Sequence, residues 1–208
     1  MSRRYWSWFL LPLVLAWAVS LFLYPRLPEP LPVHWGLEGE PDRYGSRLEA
    51  LFLLPLVMTF LIPLFGILIR VDPKRPKGVE GVMVGVSWLF LFLHLSVLTV
   101  YLGWFKDPTR PFFWVMGAFF LAFAYFMPRI PPNYLVGVRT PWTLEDPGVW
   151  GKVHRASAWG FVFLGLLSWA IALFPGKYGV FLFLLSLVAV GLVLTVVSYR
   201  FWKAQPKK

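Results

Sequence analysis

The sequence predicts an all-α integral membrane protein with six transmembrane helices, both termini in the cytoplasm, one long outer loop and one long inner loop. Three observations carry this. Only 14% of the residues are charged, against about 25% in a soluble domain, so the chain cannot cover itself with a polar surface. The charged residues leave six long uncharged runs. The lysines and arginines then fall mostly on one side of the membrane those runs define.

The uncharged runs are residues 5–25, 50–69, 81–105, 111–128, 156–176 and 178–199. A helix rises about 1.5 Å per residue and the hydrocarbon core is about 30 Å thick, so about 20 residues suffice to cross it. Six such runs in succession would need an implausibly large soluble core. The first run follows Ser2-Arg3-Arg4 and contains Ala16-Trp17-Ala18, which has the look of a signal peptide. Its apolar stretch continues to Tyr24, longer than a signal core of roughly 7–15 residues, and is read as a retained helix. The chain therefore divides into residues 1–69 (two spans and the outer loop 26–47), 70–127 (spans three and four) and 128–208 (the inner loop 129–155 with spans five and six).

Charge placement orients the spans. With the N-terminus inside, the inner segments hold Arg3, Arg4, Arg70, Lys74, Arg75, Lys77, Arg129, Arg139, Lys152, Arg155, Arg200, Lys203, Lys207 and Lys208, which is 14 basic residues. The outer segments hold Arg26, Arg43, Arg47, Lys106, Arg110 and Lys177, which is 6. Lysine and arginine stay cytoplasmic, so this favours N-in, C-in. Membrane lipid is the partner that inner basic loops meet. Direct nucleic-acid binding is not expected, because the basic residues are divided over four short segments. The chain has no cysteine, which excludes disulfides, thiolate metal sites and cysteine nucleophiles. No cofactor is expected.

The outer loop alternates Pro28, Pro30 and Pro32, which imposes extended backbone, and residues 36–45 are rich in turn formers. Glu38, Glu40, Asp42 and Glu49 sit at the relative positions of a calcium loop. Arg43 stands where that loop needs glycine, so a solvated turn with local ion pairs is the better reading. His34 has no second histidine near it in sequence and is read as an interfacial hydrogen-bonding group. In span three, His94 is the only ionisable side chain inside any run. An intramembrane histidine is a functional candidate by default, set against a plain hydrogen bond to a neighbouring helix. Pro12, Pro55 and Pro63 mark sites of helix kinking. The segment 70–80 reads as a basic anchor and nothing more.

The inner loop carries the densest set of unusual residues. Pro131-Pro132-Asn133 and Thr140-Pro141 are read as helix stops. Asp146-Pro147 reads as a helix start, with an N-cap followed by proline at the first helical position. Trp150 and His154 are four apart and so share a helix face. Gly137-Val138-Arg139-Thr140 fits an anion, or a tight turn with Arg139 capping a helix end or meeting a lipid phosphate. No metalloprotease, nucleophile-elbow or phosphate-loop motif is present.

The string from Pro132 to Thr143, with Asn133, Gly137, Arg139, Thr140, Trp142 and Thr143 in spaced pattern and then Trp150, His154 and Arg155, resembles the signature of the SdpI family of bacterial membrane proteins. The outer loop is similar to a module often found ahead of that signature, here as Pro32-Val33-His34-Trp35 and Gly39-Glu40-Pro41-Asp42. The resemblance implies a six-span, non-catalytic protein of the bacterial cytoplasmic membrane. It implies immunity to a secreted antimicrobial peptide, and signalling by holding a winged-helix transcriptional repressor at the membrane. The outer face (His34, Trp35, Gly39, Asp42) would then meet the toxin, and the inner loop the repressor. Two other readings stay open. A small-molecule or ion transporter would draw on His94, Ser87, Ser96, Thr59, Thr99, Ser168 and Thr195. A membrane enzyme, hydrolytic or lipid-modifying, would use His34, His154 or the acidic outer loop.

Overall fold

The computed structural model describes residues 3–36, 39–74, 78–174 and 178–205, with Arg3, Arg4 and Tyr5 as backbone only. Glu38, Arg75, Lys77, Lys177, Lys207 and Lys208 from the charge analysis lie outside the described residues. In chain order the elements are α1 (Arg3–Leu23), β1 (Leu31–Trp35), β2 (Pro41–Gly45), α2 (Arg47–Val71), α3 (Val79–Tyr101), α4 (Thr109–Phe126), a 3-10 turn (Met127–Arg129), α5 (Pro141–Glu145), α6 (Pro147–Leu173) and α7 (Gly179–Lys203). All but α5 among these helices are long and apolar enough to cross a membrane, which makes the expected six.

Prolines decide where the spans are tied together. Pro55 lacks an N–H, so the carbonyl of Leu51 loses its partner within α2. The Ser20 hydroxyl from α1 replaces it, donating to that carbonyl at 2.7 Å. Having given its one proton, the Ser20 oxygen accepts from His94 Nε2 of α3 at 2.9 Å. His94 is thus the end of a three-helix chain of hydrogen bonds, in keeping with the simpler of its two readings. Two further contacts brace the same group. Trp17 Nε1 donates to Thr59 Oγ1 at 3.0 Å. Ser87 donates to the Phe9 carbonyl at 2.8 Å, in the turn before Pro12. In hydrocarbon, with no water to compete, such bonds select one helix arrangement.

The helices form two groups, α1 with α2 and α3, and α4 with α6 and α7, joined where α3 meets α4. Between α3 and α4 runs an apolar groove of about 490 Å³, flanked by Gly81, Gly85 and Trp88 on one side and Ala118 and Phe123 on the other. The α4–α6 contact is the most extensive, and glycines set its distance. A Cβ on Gly165 would lie 2.7 Å from Leu121 Cγ and 3.1 Å from the Gly117 carbonyl oxygen. Gly165→Leu is therefore expected to cost about 3 kcal/mol or more by overpacking. Thermal unfolding in detergent, followed by tryptophan fluorescence, should show a clear fall in Tm. Gly191→Leu should not, since nothing lies within 4 Å of that position.

The outer-loop expectation of an extended piece and a turn becomes an antiparallel hairpin, with Leu31 opposite Gly45 and Trp35 opposite Pro41. Gly39 turns the chain at φ +83°. A lone two-stranded hairpin is marginal in water, and this one is pinned at several points. Tyr101 of α3 donates to the Pro32 carbonyl at 2.8 Å. Arg47 binds Glu29 at 3.1 Å and the Tyr24 and Leu27 carbonyls. Arg43 binds Glu49 at 2.6 Å.

Candidate functional site

The loop between α4 and α6 builds itself around one amide. Asn133 is fully buried. Its Nδ2 donates to the carbonyls of Pro131 at 2.8 Å and Val136 at 3.1 Å. Its Oδ1 accepts from the N–H groups of Leu135 and Val136 at 2.8 and 2.7 Å. No binding capacity is left over. Asn133 organises the loop from within rather than presenting itself to a ligand.

The loop then reverses at Gly137, whose φ is +116°. A Cβ there would strike His154 Nε2, so only glycine lets the loop close onto α6. His154 donates from Nδ1 to the Trp150 carbonyl at 2.9 Å, which leaves Nε2 with its lone pair. That nitrogen is buried with no hydrogen-bond partner. The helical spacing of Trp150 and His154 brings their rings into stacking, 3.9 Å between centroids. Trp150 Nε1 donates to the Ile130 carbonyl at 2.8 Å, so the stacked pair also holds the start of the loop.

Thr140-Pro141 does not stop a helix; it starts one. Thr140 caps α5 and Pro141 takes the first helical position, where its missing N–H costs nothing. Thr140 and Thr143 exchange hydrogen bonds as a capping box, and Thr143 also donates to the Val138 carbonyl at 2.8 Å. Short α5 carries Trp142 to the end of α7. There its indole donates to Ser198 at 2.6 Å and its rings meet Tyr199 and Trp202. Asp146 caps α6 by accepting from Gly148 and Val149 at 2.6 and 2.9 Å, as the Asp146-Pro147 pair predicts.

Of the inner residues singled out by sequence, Asn133, Gly137, Thr140, Trp142, Thr143, Trp150 and His154 thus belong to one knot whose hydrogen bonds close inward, with His154 Nε2 left unpaired. Arg139 and Arg155 are exposed, and Arg139 donates to the Tyr134 carbonyl at 2.5 Å. The groups the knot offers outward are these two guanidinium groups, the half-exposed Tyr134 ring and Lys152. Such a set suits recognition of an anionic or carbonyl-rich surface.

The outer set gathers at the hairpin. His34 Nδ1 and Asp42 Oδ1 lie 2.5 Å apart, both largely exposed. Trp35 Nε1 is buried without a hydrogen-bond partner. Gly39 sits against the Asp107 side chain. His94 joins neither set. Sequence reasoning missed Asp72 and Lys74, in the segment read as a bare anchor. Asp72 Oδ2 accepts the Tyr134 N–H at 2.8 Å, and Lys74 Nζ donates to the Leu144 carbonyl at 2.6 Å. The one available signal was an acid, Asp72, amid basic residues.

Comparison with known proteins agrees with this arrangement. The model of the SdpI/YfhL protein family matches residues 129–199, the knot together with α6 and most of α7. The domain of unknown function DUF1648 matches residues 11–59, from α1 through the hairpin into α2. The chain is 29% identical to the immunity protein SdpI of Bacillus subtilis (strain 168) over 191 residues, 91% of either chain. The segment 129–199 thus carries the SdpI/YfhL pattern. A 50-residue stretch is also 48% identical to an uncharacterized protein of Archaeoglobus fulgidus, covering 24% of this chain and 27% of that one. No solved structure matches. The knot falls inside the SdpI/YfhL match and the hairpin inside the DUF1648 match. The two features set apart by geometry are also the two set apart by family.

Proposed function

We propose that the protein confers immunity to a secreted, membrane-active peptide as a non-catalytic protein of the bacterial cytoplasmic membrane. The observation that carries this is the match to an immunity protein along 91% of both chains, which spans hairpin, helices and knot alike. In this reading the protein lies N-in, C-in, as the 14-to-6 placement of basic residues supports. The hairpin, with His34 and Asp42 exposed, faces the peptide. The knot, with Tyr134, Arg139 and Arg155 outward, faces the cytoplasm and membrane lipid. There it also signals, by holding a soluble partner such as a winged-helix repressor.

The test is protection. Cells sensitive to a membrane-active peptide should survive a markedly higher dose when they make this chain than when they carry empty vector. Survival unchanged against a panel of such peptides, with the protein present in the membrane, would overturn the reading. Because the chain has no cysteine, a single cysteine at position 40 should label from outside and one at position 139 from inside. The reverse pattern would overturn the orientation.

A further inference from the structure

The structure ties the two loops to opposite ends of one helix. At its start, α2 is capped by Ser46, whose side chain accepts from the Glu49 N–H. Arg47 and Glu49 in its first turn hold the hairpin, through Glu29 and Arg43 respectively. At its end, Asp72 follows Val71 directly and is only 4% exposed. Its N–H stays bonded to the Leu68 carbonyl, so it moves with the helix. One carboxylate oxygen accepts from the Lys74 N–H and the other from the Tyr134 N–H, each at 2.8 Å. Lys74 adds its bond to Leu144, and its ammonium lies 5.4 Å from the Tyr134 ring centroid. The knot belongs to the α4–α6 side of the molecule, yet α2 grips it from the other group of helices. Between the two grips runs a single helix of 25 residues, roughly 37 Å at the usual rise.

We infer that Asp72 is a positioning residue for the loop 133–140, and that α2 conveys changes at the hairpin to that loop through it. Two arrangements follow. In the one seen, Tyr134 is held by Asp72 and Gly137 lies closed on His154. In the other, the Tyr134 N–H is released to water and the loop lifts. The closed form leaves His154 Nε2 buried without a hydrogen-bond partner. Lifting Gly137 brings that acceptor within reach of a donor, so opening relieves a group that closure leaves unsatisfied. An equilibrium that both the hairpin and an inner partner can bias is what coupling between two sites requires. The inference gives the signalling part of the proposed function a route. Its test uses neither peptide nor partner, so the two fail separately.

The experiment is hydrogen exchange by mass spectrometry on the full chain in lipid nanodiscs. Asp72→Ala should speed exchange at the Tyr134 amide by about tenfold, as expected when one buried bond protecting it is lost. Amides in the α4–α6 interior should keep their protection, which reports that the fold survives. Two hairpin variants then test transmission: Tyr101→Phe, which removes the bond to Pro32, and Arg47→Ala, which removes the grip on Glu29. Each should raise exchange in residues 133–140 when Asp72 is present and leave it unchanged on the Asp72→Ala background. Should Asp72→Ala fail to fold, Asp72→Asn keeps the volume, loses one accepting oxygen, and serves in the same comparison. Inner-loop exchange that ignores the hairpin variants, or follows them equally without Asp72, overturns the inference.

Discussion

Asn133→Asp should unmake the loop between α4 and α6 while leaving the six spans in place. The two residues have the same shape, but aspartate offers no donor. The carbonyls of Pro131 and Val136, which now receive the amide N–H groups at 2.8 and 3.1 Å, would face a carboxylate oxygen instead. The site is fully buried, so water cannot step in. Two lost hydrogen bonds, two orphaned carbonyls and a buried charge together should cost about 3–5 kcal/mol of loop stability. The measurement is hydrogen exchange over residues 131–140, which should approach the unprotected rate while the helices keep theirs. Protection against peptide, where it is found, should fall to background. Exchange at the native rate would show that the amide does not organise the loop.

The second large effect is at Gly137. Alanine there meets two obstacles at once. A φ of +116° is a backbone conformation that residues with a Cβ rarely adopt, and the new methyl would strike His154 Nε2. His154 has little room to yield, since its ring is stacked on Trp150 and tied by Nδ1 to the Trp150 carbonyl. Strain and overpacking together should amount to about 3–5 kcal/mol. The outcome expected is a loop displaced from α6, seen as changed Trp150 fluorescence in a variant that keeps Trp150 and loses the emission of the other indoles. Gly137→Ala paired with His154→Ala should recover part of the loss, because the collision is gone and only the backbone strain remains.

How much of this could be read from residues alone depends on how far apart the interacting groups lie in the chain. The spans were legible because each is a local property: about twenty residues with no charge. The Asp146-Pro147 start and the pairing of Trp150 with His154 were legible for the same reason, being set by spacings of one and four. The hairpin was half legible, as extended backbone and a turn without their pairing. Thr140-Pro141 was misread because proline is ambiguous out of context. It ends a helix that reaches it and begins one that starts there, and only the cap formed with Thr143 decides. Asn133 stood out as polar in a loop, and so looked like a binding group. That its four bonds all close inward depends on backbone geometry that no residue pattern states. Asp72 escaped notice because the residue it holds, Tyr134, is 62 positions away.

The link from Pro55 to Ser20 to His94 also has a meaning on the timescale of descent. Ser20 is useful to Leu51 only while position 55 lacks an amide proton. Once a mutation restores that proton, the helix can close its own bond and the hydroxyl is free to be lost. His94 then loses its acceptor and is released to become an ordinary apolar residue. The three positions, far apart in the chain and on three different helices, form one inherited character. Descendants of this chain should keep all three or drift away from all three, with few surviving long in between.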